Sequence, residues 1–447
     1  MSDLLSLGAS GVRTYQTALA TTSENIANAG NASYVRRTPS IREITGGNGW
    51  NNSSPNGMGS SASSILRAGD AYADQTLRTA SSDLSRTQAG SVWLERIETA
   101  LSSGGLSSRL TGFFAAGTAL QADPSSTALR AGMLSAGSSV ADAFGVTARA
   151  LDDAAGELDG QAVQGAAELS RLNQAMLKVN QGLVRTAPGT SAMAGLMDQR
   201  DDLLQQMSAL SDIDVKLDDY GRATVRAGGP NGPVLVDPKD ASEVAYGRTG
   251  SNVALAVRPS SGTPTLFDPE GGSLAGMVEG AQRISSARDA LGRVATDLTQ
   301  TVNDLQAAGD DQKGNPGTDF FKSSATDPTS FTVKLNSGDQ IAAAGRAGGS
   351  RDASNLAALA GKRTSMGFEG SVQALVTDNA ATLKQRRLVA DAQTTIRDGA
   401  VTTRSELTGV NLDNEAIDLL KFQQAYQASS RVIQVAKETF QSILEIR

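Results

Sequence analysis

Near the amino terminus the large apolar residues recur with a helical period. Leu5, Val12, Leu19 and Ile26 stand seven residues apart, the spacing of a coiled-coil seam, and Tyr15 joins them as an interface candidate. The pattern predicts an amphipathic helix over 3–29. Asn28-Ala29-Gly30 ends it, and Pro39 disfavours helix just ahead of itself. A second row stands at the other end of the chain. Leu412, Leu419, Tyr426, Ile433 and Phe440 keep the same spacing, with Phe422, Ser429, Ala436 and Ile443 three positions after the later four. Asn411 can cap that helix, and Asp413 and Glu415 suit its first turn. Two matching rows predict that the chain ends pair as a coiled coil. The anchors are few for the length of chain they must order, so firm ordering is expected where neighbouring subunits supply further apolar surface.

Between the two rows the pattern changes twice. Residues 45–64 are rich in Gly, Asn and Ser and read as irregular or extended. From 68 to 211 the periodicity is helical, broken at 102–105, at Asp123-Pro124 and at 186–190; Leu203, Leu204, Met207 and Leu210 share one face. Residues 213–229 alternate apolar and polar on both sides of Asp219-Tyr220-Gly221, the signature of a hairpin. Short strands follow at 232–237, 252–257 and 263–268. Helix returns over 274–308, a loop carries Gly314, Pro316 and Gly317, a strand is expected at 330–335, and the chain is helical from 353 onward. The fold class is mainly α with a small β-rich insert, in an elongated multi-domain protein. The expected division is a terminal helical part (1–40 with 408–447), a helical core (41–211 with 271–407) and a β-rich outer part (212–270).

Composition sharpens this. Aromatic residues make up only 4% of the 447 residues, while glycines number 47, which favours thin helical packing over one large globule. No apolar run approaches the roughly 18 residues of a membrane span, so no membrane partner is expected. The first residues have neither a basic start nor a continuous apolar stretch, so no cleavable secretory signal is expected. Cysteine and histidine are both absent, which removes disulfides, thiolate nucleophiles, Cys/His zinc sites and imidazole catalysis. The net charge of −7 opposes a general grip on nucleic acid. The basic clusters Arg36-Arg37, Lys362-Arg363 and Lys384/Arg386/Arg387 are short and read as solvated faces.

Carboxylate pairs remain as candidate chemistry: Asp201-Asp202, the group Asp212/Asp214/Asp218/Asp219, and Asp310-Asp311. The loop from Asp310 to Phe321 fails the calcium-loop pattern, because Gly314 takes a ligand position and Phe321 stands where the closing Glu belongs. Acidic residues at a hairpin tip are ordinary turn chemistry. No phosphate-binding glycine loop with its Lys-Ser/Thr occurs. No catalytic residue, metal ligand or cofactor is assigned.

Two segments carry a resemblance. Residues 18–37, ALATTSENIANAGNASYVRR, and residues 412–433, LDNEAIDLLKFQQAYQASSRVI, resemble the amino- and carboxy-terminal signatures of the bacterial flagellar rod, hook and hook-associated axial proteins. The stretches 112–134, 196–215, 270–280 and 302–321 resemble the hook-associated (FlgK) branch of that family. The resemblance implies a structural, non-enzymatic subunit at the hook–filament junction. Implied partners are a ring of like subunits, the hook protein, a second hook-associated junction protein and a cytoplasmic export chaperone. The implied location is the extracellular flagellum, reached through the flagellar type III system. The terminal rows become the assembly interface, with Asn25, Asn28, Tyr34 and Arg36 as the motif and hinge that link inner helix to outer shell. Ser33 in place of the usual Gly, Asn31 where Thr is common and Gln306 where His is frequent are departures. Another rod or hook subunit shares both ends but not the 68–211 stretch; an enzyme on a helical scaffold is the third alternative.

Overall fold

The computed structural model describes residues 2–44, 58–324 and 326–445; most of the Gly/Asn/Ser-rich segment lies outside them. Helix α1 spans Ser2–Asn28. Strands β1 (Arg37–Glu43) and β2 (Ser60–Arg67) form an antiparallel ribbon. Four helices follow: α2 (Ala71–Ser103), α3 (Leu106–Ala122), α4 (Thr127–Arg185) and α5 (Ser191–Leu210). Their ends fall at the expected breaks, and each has a physical cause. Asp70 caps α2 by accepting from Ala73 N, Ser126 caps α4 and Thr190 caps α5. Gly105, at φ +56°, makes the left-handed step between α2 and α3.

The insert consists of two antiparallel three-stranded sheets. The first holds β3 (Ile213–Leu217), β4 (Ala223–Ala227) and β5 (Val234–Val236). The second holds β6 (Glu243–Thr249), β7 (Asn252–Arg258) and β8 (Thr265–Phe267). The hairpin turn forms where expected: Asp218 accepts from the backbone N–H of Tyr220 and Arg222, and Gly221 sits at φ +77°. Strand β6 and the β1–β2 ribbon are absent from the sequence expectation. Both contain charged residues and glycine or proline that blur the alternation, and tertiary pairing supplies what pattern lacks.

Helix α6 (Gly272–Ala308) returns the chain to the bundle. Short strands β9 (Gly309–Asp310), β10 (Phe321–Ser323), β11 (Phe331–Val333) and β12 (Ala344–Gly345) then precede α7 (Ser354–Met366), α8 (Phe368–Thr408) and α9 (Leu412–Glu445). Helix α4, with 59 residues, is about 90 Å long at 1.5 Å per residue, and two cores are threaded along it. The first gathers α2, α3, the front half of α4, α6 and α8 around Trp93, and seven of the ten phenylalanines lie in it. Phe113, Phe320, Phe321 and Phe331 meet ring to ring at centroid distances of 4.7–5.9 Å. Few aromatics therefore suffice, because they are concentrated at one point. The second core joins the rear half of α4 and α5 to both sheets through Leu169, Met176, Met207, Val225 and Leu255. Two buried asparagines on α4 fix the sheets: Asn180 exchanges two 2.8 Å hydrogen bonds with the Ala223 backbone, and Asn173 donates to Ser242 O. Among the described residues no helix is long and apolar enough to cross a membrane.

Candidate assembly interface

Helices α1 and α9 pack side by side and antiparallel. Tyr15 meets Phe422 with ring centroids 6.4 Å apart, and Asn25 reaches Glu415. The close contact of α1 is made by small residues. A Cβ built on Gly8 would lie 2.6 Å from Ile433 Cγ1, and one on Gly11 would lie 2.6 Å from Ser429 Oγ. Gly8, Gly11, Tyr15, Ala18, Thr22 and Asn25 follow the alternating three-and-four spacing of a seam. This corrects the expected face by about one position. Val12 and Leu19 are half-buried along the flank of the seam, and Leu5 and Ile26 are exposed. Glycine at the crossing brings the backbones so close that larger side chains stand beside the contact rather than within it.

On α9 the buried and half-buried side of the helix carries Leu419, Phe422, Ser429, Ile433 and Ala436 from the expected row, joined by Glu415 from outside it. Leu412, Tyr426, Phe440 and Ile443 are exposed in the single chain, as are Ile417, Leu420, Val432 and Val435 off that row. Half of the side chain of Phe440 and of Ile443 meets solvent. Large apolar side chains left uncovered on several sides of one helix are unusual for a chain that acts alone.

Where α1 ends, Asn31 N donates to Asn28 O and Ser33 N donates to the Asn31 side chain at 3.1 Å. Among the described residues Ala347 is the non-glycine at positive φ, so Ser33 needs none of glycine's freedom. Its hydroxyl instead donates to Asp202 Oδ1 at 2.8 Å. Asn28 stays local, donating to Glu24 O. Gln306, buried, bonds the Gln340 and Ala342 backbone and supports the loop after α6.

Asn25 is the centre of the hinge. Its Oδ1 accepts from Tyr34 Oη at 2.8 Å and from Arg37 N at 3.0 Å; its Nδ2 donates to Arg37 O and to Glu415 Oε2. Glu415, with 1% of its side chain exposed, also accepts from Arg36 Nε at 2.6 Å, and Arg36 reaches Asp418 at 3.4 Å. One amide and one carboxylate thus tie α1, the hinge and α9 together. Burial pushes the Tyr34 phenol up to about 12, against the opposing pull of Arg37, whose guanidinium lies 4.7 Å from the ring centroid. The phenol therefore keeps its proton and its donor role at neutral pH.

A row of alternating charge continues into the body. Arg37 bonds Glu24 and Asp198, Arg67 bonds Asp198 and Asp201 at 2.7 and 2.6 Å, and Arg200 bonds Asp201. Each interior charge meets opposite charge on both sides, which offsets its desolvation. Asp201 is thus a structural ion-pair partner. Asp218 shapes a turn, Asp310 pairs with Arg346, and Asp311 accepts from the Lys313 and Asn315 backbone. Among the described residues no three carboxylates converge to hold a metal ion. The reading of Arg36-Arg37 as a solvated face is overturned at Arg37, which is buried in this row, and sequence reasoning missed Asp198 and the latch role of Glu415. A polar residue seven before Phe422 in a seam was the available signal.

The terminal helices thus form a pair, tied through a polar hinge to a long helical body, with apolar side chains of α9 uncovered. Residues 402–446 match the family described as flagellar basal body rod FlgEFG protein C-terminal. Residues 94–321, half of the chain, match the flagellar hook-associated protein FlgK helical domain, and the chain belongs to that hook-associated family. It is 23% identical over 483 residues to flagellar hook-associated protein 1 of Bacillus subtilis, covering 96% of this chain and 95% of the relative. It is 27% identical over 346 residues to the protein of that name from Salmonella typhimurium, covering 72% of this chain but 59% of the relative. The solved flagellar hook junction protein FlgK from Burkholderia pseudomallei shares the fold, with TM-score 0.51 and 18% identity over 56% of this chain and 47% of that one. Membership places the chain among structural proteins of the bacterial flagellum, and its relatives carry the names of structural proteins rather than enzymes.

Proposed function

We propose that this chain is the structural subunit joining hook to filament. Like subunits form a ring on the distal end of the hook, and that ring presents the surface on which a second hook-associated protein and then the filament are built. The observation that carries the reading is the paired α1–α9 unit with large apolar side chains left uncovered on α9, in a chain with the hook-associated helical domain. Neighbouring subunits supply the missing cover, with Leu5, Ile26, Leu412, Tyr426, Phe440 and Ile443 at the contact. The hydrophobic effect supplies the drive, and the antiparallel pair sets the geometry. Before assembly the same apolar side chains of α9 need a temporary partner, a role that suits a cytoplasmic export chaperone gripping the helix. Passage through the type III export channel agrees with a chain free of cysteine, since no disulfide can lock it on the way. A rod or hook subunit would share the terminal unit, but the helical-domain match over 94–321 favours the junction.

Deletion of the gene tests the reading. Completed hooks without filaments, and flagellin lost to the medium, are the expected result. Normal filaments on such cells would overturn it.

A further inference from the structure

The second half of α8 is fixed to the body along one side. There Arg386 pairs with Glu279, Arg404 pairs with Asp74 at 2.6 Å, and Ala400 and Thr408 are buried. On another side Leu388, Ala392, Ile396, Gly399, Thr403 and Leu407 are all exposed. Their spacing of four, four, three, four and four keeps them within an arc of about 100° around the helix. Leu388, Ile396 and Leu407 are 64%, 61% and 55% exposed. Val389, also exposed, widens the row, and Glu406 is the charge at its edge.

Alternating threes and fours are the spacing of a helix packed on another helix, and large side chains next to small ones supply its knobs and holes. The single chain puts nothing on this side. The row is about 29 Å long at 1.5 Å per residue, so on a helix about 10 Å wide it can bury about 300 Å². A stable complex buries about 800 Å² on each partner, so the row cannot hold two subunits together by itself. It has to act with further surface, and the chain supplies that surface directly. Beyond Gly409, Val410 and Asn411, α9 runs on rather than packing along α8, and Leu412, Ile417 and Leu420 are exposed. Uncovered apolar side chains thus continue from the body into the terminal helix.

We propose that the α8 row is a second contact between copies of this chain, in which a neighbouring subunit covers Leu388, Ile396 and Leu407 together with α9. The inference rests on the ring of like subunits proposed above, and adds that the helical body is gripped as well as the terminal pair. A ring needs two different, complementary surfaces on each subunit, and the row is part of one of them. Because the row falls short of the area of a stable pair, it stays open on the dilute monomer and closes when α9 is covered too.

The test places a photo-crosslinking amino acid at position 396, and separately at 392, of the full chain in cells that lack the native gene. Illumination of assembled flagella is expected to give a covalent dimer of this chain, and illumination of the dilute purified chain only monomer. A second measurement uses Leu388→Asp with Ile396→Asp. Both positions are exposed in the monomer, so its circular dichroism melt is expected to match that of the native chain, while the amount retained on isolated hooks falls about tenfold or more. Cross-links only to a different protein, no cross-link in assembled flagella, or full retention of the folded double variant overturns the α8 contact. Any of these results in cells that carry filaments leaves the junction role standing. Filaments on cells without the gene overturn that role instead.

Discussion

Replacing Glu415 with Gln tests whether the hinge latch holds the terminal helices. The carboxylate accepts from Arg36 Nε at 2.6 Å and Asn25 Nδ2 at 2.9 Å while almost wholly buried. Hydrogen bonds to a charged group contribute about 1.5–3 kcal/mol each. Arg36 is nearly one-third exposed and keeps Asp418 at 3.4 Å, so water and a second acid recover part of the loss. Asn25 Nδ2 keeps Arg37 O. The net cost is therefore about 2 kcal/mol, below the 3–5 kcal/mol of breaking a fully buried pair. At 1.4 kcal/mol per factor of ten, local opening of the helix pair becomes roughly 30-fold more frequent. Amide hydrogen exchange by mass spectrometry reads this directly: α1 and α9 lose protection, while α4 serves as an internal control. Unchanged protection in α1 and α9, or equal loss across α4, would refute the reasoning.

Four further outcomes are expected. Gly8→Ala should weaken protection of α1 and α9 despite alanine's roughly 1 kcal/mol helix advantage, because its Cβ would lie 2.6 Å from Ile433 Cγ1. Gly156→Ala, an exposed α4 site with nothing within 4 Å of the added Cβ, should stabilise by about 1 kcal/mol; the same sign at both sites would contradict the close crossing. Leu419→Asp with Ile433→Asp puts two charges on the seam and should abolish assembly and motility while the circular dichroism melt of the central body persists; restored motility would sink the paired-helix account. Burial raises Glu279, but hydrogen bonds from Arg386 and Arg86 outweigh it and hold its carboxyl below the ordinary value. Its folded-state value is depressed, so its stabilisation is present above the unfolded carboxylate range and is lost as pH falls through the folded value. Glu279→Gln should flatten the acid limb of a stability-against-pH curve, and an unchanged limb would count against the Arg86–Glu279–Arg386 clamp of α2, α6 and α8.

Much of the fold is legible in the residues because it rests on local chemistry. Asn411 before α9 announces a helix start by satisfying free amides, and Asp123-Pro124 and the 186–190 stretch announce the breaks on either side of α4. The tip at Asp218–Gly221 announces a hairpin. The ribbon of β1 and β2 was hidden, since its second strand, Ser60–Arg67, is half serine and its partner contains Pro39. What makes these strands is docking on α1, through Thr14 Oγ1 to Ser60 O, and on the α4–α5 loop, through Ile65 N to Gly189 O. The candidate site divides in the same way. Leu419, Phe422 and Ile433 stand out as large apolar residues at seam spacing, whereas Gly8 and Gly11 give no hydrophobic signal although they set the crossing.

By itself the sequence determined that both chain ends are amphipathic helices, that a β insert interrupts a helical body, and that imidazole and thiol chemistry are absent. Those follow from periodicity and composition, properties of neighbours along the chain. Only the tertiary structure decided which face of α1 meets α9, that Ser33 holds Asp202 rather than turning as glycine would, and that Asp198 and Asp201 are charge partners of Arg37 and Arg67. These depend on groups separated by more than a hundred residues. Backbone approach, burial and charge pairing exist only once the chain has brought them together.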